Sequence, residues 1–176
     1  MSSETQILVA ASQAEHSAAV KAVGDCRMGI CEALREFVNE HGRPDITDIY
    51  FDLSAASFVD STFTGFLLGL ATKRNQPAAP DLHLVNPSQK ALDTFRGMHL
   101  MQYFDICDKI PNPPGKWSVL SADAVCPDTV GDLVIDAHEG LVEADQRNAE
   151  KFGRVVEVFR DEKAKKQAGG GNPGGL

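Results

Sequence analysis

Basic residues are in short supply in this chain. Its 176 residues carry 17 Lys and Arg against 25 Asp and Glu, a net charge of −8, with a sequence pI of about 5.0. A surface of that sign repels the phosphate backbone, so no nucleic acid is expected as a partner. Long apolar runs are missing too. The longest, around Phe63 to Ala71, contains Thr64 and falls well short of the roughly 20 apolar residues that a membrane-spanning helix needs. The N-terminal stretch MSSETQILVAAS has neither a basic n-region nor an extended apolar core. No signal peptide and no membrane insertion are expected, and the location that follows is cytoplasmic. Cysteines are few, and Cys26, Cys31, Cys107 and Cys126 form neither a CxxC pair nor a zinc knuckle. They read as free thiols that serve as small buried hydrophobes. His16, His41, His83, His99 and His138 are scattered, none at metal-ligand spacing with a carboxylate or cysteine. The G-x-S-x-G elbow is absent. Gly24, Gly65 and Gly69 do not make a phosphate-binding loop. Neither an enzyme, nor a metal site, nor a cofactor is therefore expected.

What is present is alternation. Gln6 to Ser12 reads as a strand, Gln13 to Ser17 as a turn, and Ala18 to Gly24 as a second, antiparallel strand. Ile30, Leu34, Phe37 and Val38 recur at helical spacing, and Gly42 and Pro44 stop that helix. Ile46 to Ser54 is the clearest strand, with Ile49, Phe51 and Leu53 on one face and Tyr50, Asp52 and Ser54 on the other. A helix over Thr62 to Arg74, a strand over Asp81 to Asn86, a helix over Gln89 to Met98 and a short strand over Tyr103 to Ile106 follow. The order ββαβαβαβ implies right-handed crossovers and a mixed, mostly parallel sheet of four or five strands. Each strand has one apolar and one mixed face, so helices are expected on one face only, covering Ile49, Phe51, Leu53, Leu82 and Leu84.

The informative segment is Asp52 to Leu70, DLSAASFVDSTFTGFLLGL. It reads as a strand, a short loop and a helix that starts at Asp60-Ser61-Thr62, where Asp60 or Ser61 can cap the free backbone N–H groups. The segment resembles the STAS domain of bacterial anti-sigma factor antagonists. The likeness lies in Asp52-Leu53, Phe58-Val59, Asp60-Ser61-Thr62, Gly65, Leu67-Leu68 and Gly69, and in the later LHLVNPSQKALDTFRGMHLMQYFDI. It covers about Gln6 to Cys107, the first half by order of elements more than by residues. One departure stands out. The family usually has Gly two residues after the serine, where this chain has Phe63, expected as an exposed phenyl that alters the partner surface.

The resemblance implies a bacterial signal-transduction protein that regulates transcription by binding another protein. Its partners would be an anti-sigma factor that is also a serine kinase, and a protein phosphatase. It assigns the phosphoacceptor role to Ser61, with Thr62 and Thr64 as weaker candidates. Asp60, Ser61, Thr62 and Phe63 form the expected partner-binding surface, with Ser61 exposed. Other readings of the same fold are a scaffold that never carries phosphate, in a stress-signalling complex or beside a transporter ATPase, and a small ligand-binding module.

After Ile110 the composition changes. The expected domain organisation is a STAS-like unit over 1–110, a Pro-rich linker over 111–127, a helical extension over 128–166 and a disordered tail over 167–176. Val134, Ala137, Leu141, Ala144, Phe152, Val155 and Phe159 make a helical stripe, interrupted at Asn148, with a break expected near Gly140 or Gly153. Such a stripe needs cover. The open sheet face is one expected cover. A second copy of the chain, in a homodimer through the C-terminal helix, is the other.

Overall fold

The computed structural model describes residues 5–41, 45–74, 77–113, 115–121 and 127–169. The chain forms β1 (Gln6–Ser12), β2 (Ser17–Cys26), α1 (Cys31–His41), β3 (Asp48–Val59), α2 (Ser61–Ala71), β4 (Asp81–Val85) and α3 (Gln89–Gly97). It continues with β5 (Asp105–Cys107), β6 (Ser118–Val119), α4 (Pro127–Ala144) and α5 (Ala149–Gly169). The sheet order is β5-β4-β3-β2-β1-β6. β2 through β5 pair in parallel, and β1 runs antiparallel to both β2 and β6. The mixed, mostly parallel α/β sheet with a C-terminal helical extension is thus as the sequence predicts. A sixth strand is added by two residues of the Pro-rich segment.

The register follows the alternation. Ile49, Phe51, Leu53, Leu82 and Leu84 are buried in one core with Leu34 of α1, Leu67 of α2 and Phe95 of α3. Burying each such side chain stabilises the fold by about 1.5–3 kcal/mol. Tyr50, Asp52 and His83 lie on the opposite face and keep contact with solvent. β3 is longer than the expected Ile46 to Ser54. Its pairing with β2 slips between Lys21 and Val23 and again between Gly24 and Asp25. These bulges destroy the period-two signal after Ser54 while the strand runs on to Val59. Gly24 takes φ 83° in the middle of this irregularity.

The helical extension breaks at a 3-10 turn, Gln146–Asn148. That is where the apolar stripe lapses, and not at Gly140 or Gly153. Helix α5 continues to Gly169, past the expected end at 166. The Gly42 and Pro44 stop signals, Cys126 and residues 170–176 lie outside the described residues. The cover of the stripe is a correction to the open-face expectation. Leu133, Val134, Ala137 and Leu141 are buried where α4 packs on α2, on the helical side of the sheet. Gly65 explains why the two helices approach so closely. A Cβ there would stand 2.4 Å from the Ala137 carbonyl oxygen.

Candidate functional site

The bulged end of β3 delivers Asp60 to the start of α2. Asp60 is the helix cap: its Oδ1 accepts from the Phe63 N–H at 2.7 Å. Its Oδ2 accepts from the Met28 N–H at 2.8 Å, which ties the β2–α1 corner to the same turn. A carboxylate at this position also complements the positive end of the helix dipole. The cap is therefore taken, and the Ser61 hydroxyl is left over from the structural task that makes serine common at helix starts.

That hydroxyl faces α4. Ser61 Oγ and His138 Nε2 are 2.9 Å apart. The other ring nitrogen, Nδ1, lies 2.7 Å from the Val134 carbonyl oxygen, which can only accept. Nδ1 therefore carries the ring proton, Nε2 offers a lone pair, and Ser61 donates to it. Only 3% of His138 is exposed. Burial pushes its pKa below the usual 6.5, against smaller upward contributions from the Val134 hydrogen bond and Asp60. The imidazole is thus neutral at pH 7. Its ring also packs on Phe152 of α5, with centroids 5.3 Å apart.

Beside its buried apolar residues, the α2–α4 seam has an ionic cluster and a cavity. Arg74, just past the end of α2, reaches three carboxylates of α4: Asp136 at 2.6 Å, Glu143 at 2.9 Å and Glu139 at 3.4 Å. A cavity of about 330 Å³ opens where α1, α2 and α4 meet, lined among others by Val38, Phe66, Leu70, Arg74 and Leu133. The turn between α4 and α5 is fastened separately. Asn148 Nδ2 donates to the Met98 and Leu141 carbonyls, both at 2.9 Å. Tyr103 donates to the Ala144 carbonyl at 3.0 Å, and Lys151 to that of Gly97 at 3.0 Å.

Several expected surface residues lie elsewhere. Phe63 is fully buried, Thr62 is 5% exposed and Thr64 is 0% exposed. The reason is that α2 is sandwiched between the sheet and α4, so residues on both of its sides go inward. The Thr64 hydroxyl is also spent, donating to the Asp60 carbonyl at 2.7 Å. Ser61, expected to be exposed, is half-buried beneath His138. The exposed phenyl at this corner is Phe58, 41% exposed, with the Arg27 guanidinium 4.5 Å above its ring and Met28 exposed on the same corner. The alternation carries no signal for Phe58, because the bulges end it after Ser54, and His138 gives no signal either. Cys26 and Cys31 are buried and behave as small hydrophobes, while Cys107 is only partly buried. Burial pushes the Cys26 thiol up to about 12 and Cys31 well above its ordinary 9.0, so both stay protonated. No group of His, Cys, Asp and Glu among the described residues is arranged to hold a metal ion. No helix among the described residues is long and apolar enough to cross a membrane.

No protein-family model matches the chain, and no curated protein matches it. Among solved structures, the chain is similar to the anti-sigma factor antagonist SpoIIAA in its unphosphorylated form. That match is 20% identical, has a TM-score of 0.45, and covers 53% of this chain and 81% of the other. It is also similar to the Bacillus cell fate determinant SpoIIAA in the phosphorylated form, at 20% identity and a TM-score of 0.45, over 60% of this chain and 93% of the other.

Proposed function

We propose that the chain is an anti-sigma factor antagonist-like, protein-binding switch whose state is set by phosphorylation of Ser61. The observation that carries this reading is the division of labour at the start of α2. Asp60 supplies the cap, so the serine hydroxyl beside it has no part in holding the helix start together. Phosphorylation there costs no cap and adds about −1.5 to −2 charges at neutral pH. The partner surface is the corner formed by Asp60, Ser61, Phe58, Met28 and Arg27. It combines an anchor-sized apolar patch with flanking charge, as binding surfaces do. A phosphate beside the Asp60 carboxylate makes that corner costly to desolvate, because an unpaired buried charge is penalised heavily. The partners are an anti-sigma factor with serine kinase activity and a phosphatase that resets the switch, acting in the cytoplasm to regulate transcription.

The test is affinity capture from lysate of the source bacterium with wild type, Ser61→Ala and Ser61→Asp. Ser61→Ala is expected to retain a kinase-family partner and Ser61→Asp to lose it, with the fold intact in both. Equal capture by all three, with no phosphate at Ser61, would rule the switch out. One observation favours a second reading, a constitutive scaffold that never carries phosphate. The Ser61 hydroxyl is already committed to His138, and such a scaffold would behave in that capture as if all three proteins were the same.

A further inference from the structure

We infer that a phosphate on Ser61 and a seated α4 exclude each other, so that the α4–α5 hairpin is a built-in cover that phosphorylation lifts from α2. The inference rests on Ser61 being the phosphoacceptor, and it adds a conformational output that a change of surface charge alone would not produce.

The argument begins with space. Ser61 Oγ sits in hydrogen-bond contact with His138 Nε2, and the ring is held from behind by Val134 and flanked by Phe152. A phosphoryl group replaces the donated proton by three acceptor oxygens. The lone pair of Nε2 then points at acceptors, and the bond that closed the seam becomes a repulsion. Turning it attractive requires a proton on Nε2, which makes a buried imidazolium in a place where burial already opposes that charge.

Charge argues the same way. From residue 129 to 144, α4 carries Asp132, Asp136, Glu139 and Glu143 and no Lys or Arg. Arg74, Arg160 and Lys163 are among the cations that answer these carboxylates, each already bonded to one or more of them. On the α2 side both oxygens of Asp60 are committed to backbone N–H groups. On the α4 side a dianion at Ser61 would therefore meet the Nε2 lone pair of His138, while Arg74, Arg160 and Lys163 are engaged with carboxylates.

The seam is built to part at that point. Besides the close crossing at Gly65 and the buried apolar residues of α4, it contains the ionic cluster at Arg74 and the cavity between α1, α2 and α4. The turn at Asn148 is fastened independently through Met98, Tyr103 and Lys151. It is the pivot, and α4 lifts about it. Lifting uncovers Phe66 and Leu70, which are buried in the unphosphorylated chain, and widens the cavity that Gly65 and Gly69 already line.

The test uses the full chain with phosphoserine placed at position 61 through an expanded genetic code, so no kinase is needed. Hydrogen exchange of α4 peptides is compared with that of β3 and β4. Exchange in α4 is expected to rise on the order of tenfold or more over wild type, with the strands unchanged. Gly65→Leu, which wedges α4 away without added charge, is expected to do the same and shows that the measurement detects a lifted hairpin. Unchanged or slower exchange in α4 of the phosphoserine protein, with Gly65→Leu responding, would overturn the inference and mean that protonated His138 clamps the phosphate. If phosphoserine also exposes the strands, Ser61→Asp decides by the same comparison. Because the phosphate is installed, failure here is separate from failure of the switch itself, which is read from whether the chain in its own cells carries phosphate at Ser61.

Discussion

The open face of the sheet and the helical layer each hold a histidine, His83 and His138, and the two are held in opposite ways. His83, on the open face, lies between two carboxylates, with Asp105 at 2.6 Å and Asp48 at 2.8 Å, and stacks on Tyr50 at 4.8 Å. Burial alone would lower its pKa, but the hydrogen bonds to Asp48 and Asp105 outweigh that and raise it above 6.5. His138, on the helical side, has a backbone carbonyl on one nitrogen and a hydroxyl on the other, and burial pushes its pKa down. The carboxylates around the first favour its charged form, while burial favours the neutral form of the second. The second is the one that accepts a hydrogen bond from a serine. The same residue type therefore has a structural role on one face and a place in the candidate switch on the other, and the neighbours decide which.

The largest effect that separates the two sides is expected in the core beneath α2. Phe63→Ala should destabilise the chain by about 3–5 kcal/mol, because it empties a closed site. Urea unfolding measures this, and a loss under about 1 kcal/mol would return Phe63 to the surface where the resemblance puts it. Next come the histidines themselves. His138→Ala removes two hydrogen bonds and a packed ring and should cost about 2–3 kcal/mol. His83→Ala breaks partly solvated ion pairs and should cost about 1 kcal/mol or less. A reversed order in the same unfolding experiment would break the comparison.

The finest distinction is one of sign. His138 titrates lower in the folded chain than unfolded, so its contribution is present above about pH 6.5 and is lost as the pH falls through the folded value. His83 titrates higher when folded, so its contribution is complete below about pH 6.5 and fades as the pH rises through the raised value. The gap in melting temperature between wild type and His138→Ala should therefore narrow from pH 7.5 to pH 5.5, and the gap to His83→Ala should widen. Two gaps that move in the same direction would show that one of the two environments is misassigned.

Much of this arrangement is legible in the sequence, and the rest is hidden for identifiable reasons. The register of β3 and β4 was carried by Ile49, Phe51, Leu53, Leu82 and Leu84, because a one-residue slip would expose the whole set. The Asp60-Ser61 corner was legible as a helix start. The split of roles between the two residues was not, since either can cap. The resemblance puts Phe63 on the partner surface, where the family usually has Gly, and the structure buries it. The run Phe63 to Leu70 is apolar all round, and a helix of that kind is buried all round. That pattern is the signal that α2 needed a second cover, and the stripe of α4 is what supplies it. His138 was invisible as a site residue because 77 positions separate it from Ser61. Only the crossing of α2 and α4 at Gly65 joins them.

The central claim is that Ser61 is the group through which this chain is switched. Its most direct test is mass-spectrometric mapping of the chain purified from its own cells, with the partner-bound and unbound fractions analysed separately. The account predicts phosphate on Ser61 in the unbound fraction, an unmodified Ser61 in the bound fraction, and no phosphate on the buried Thr62 or Thr64. Phosphate absent from Ser61 in both fractions, or present equally in both, would contradict it.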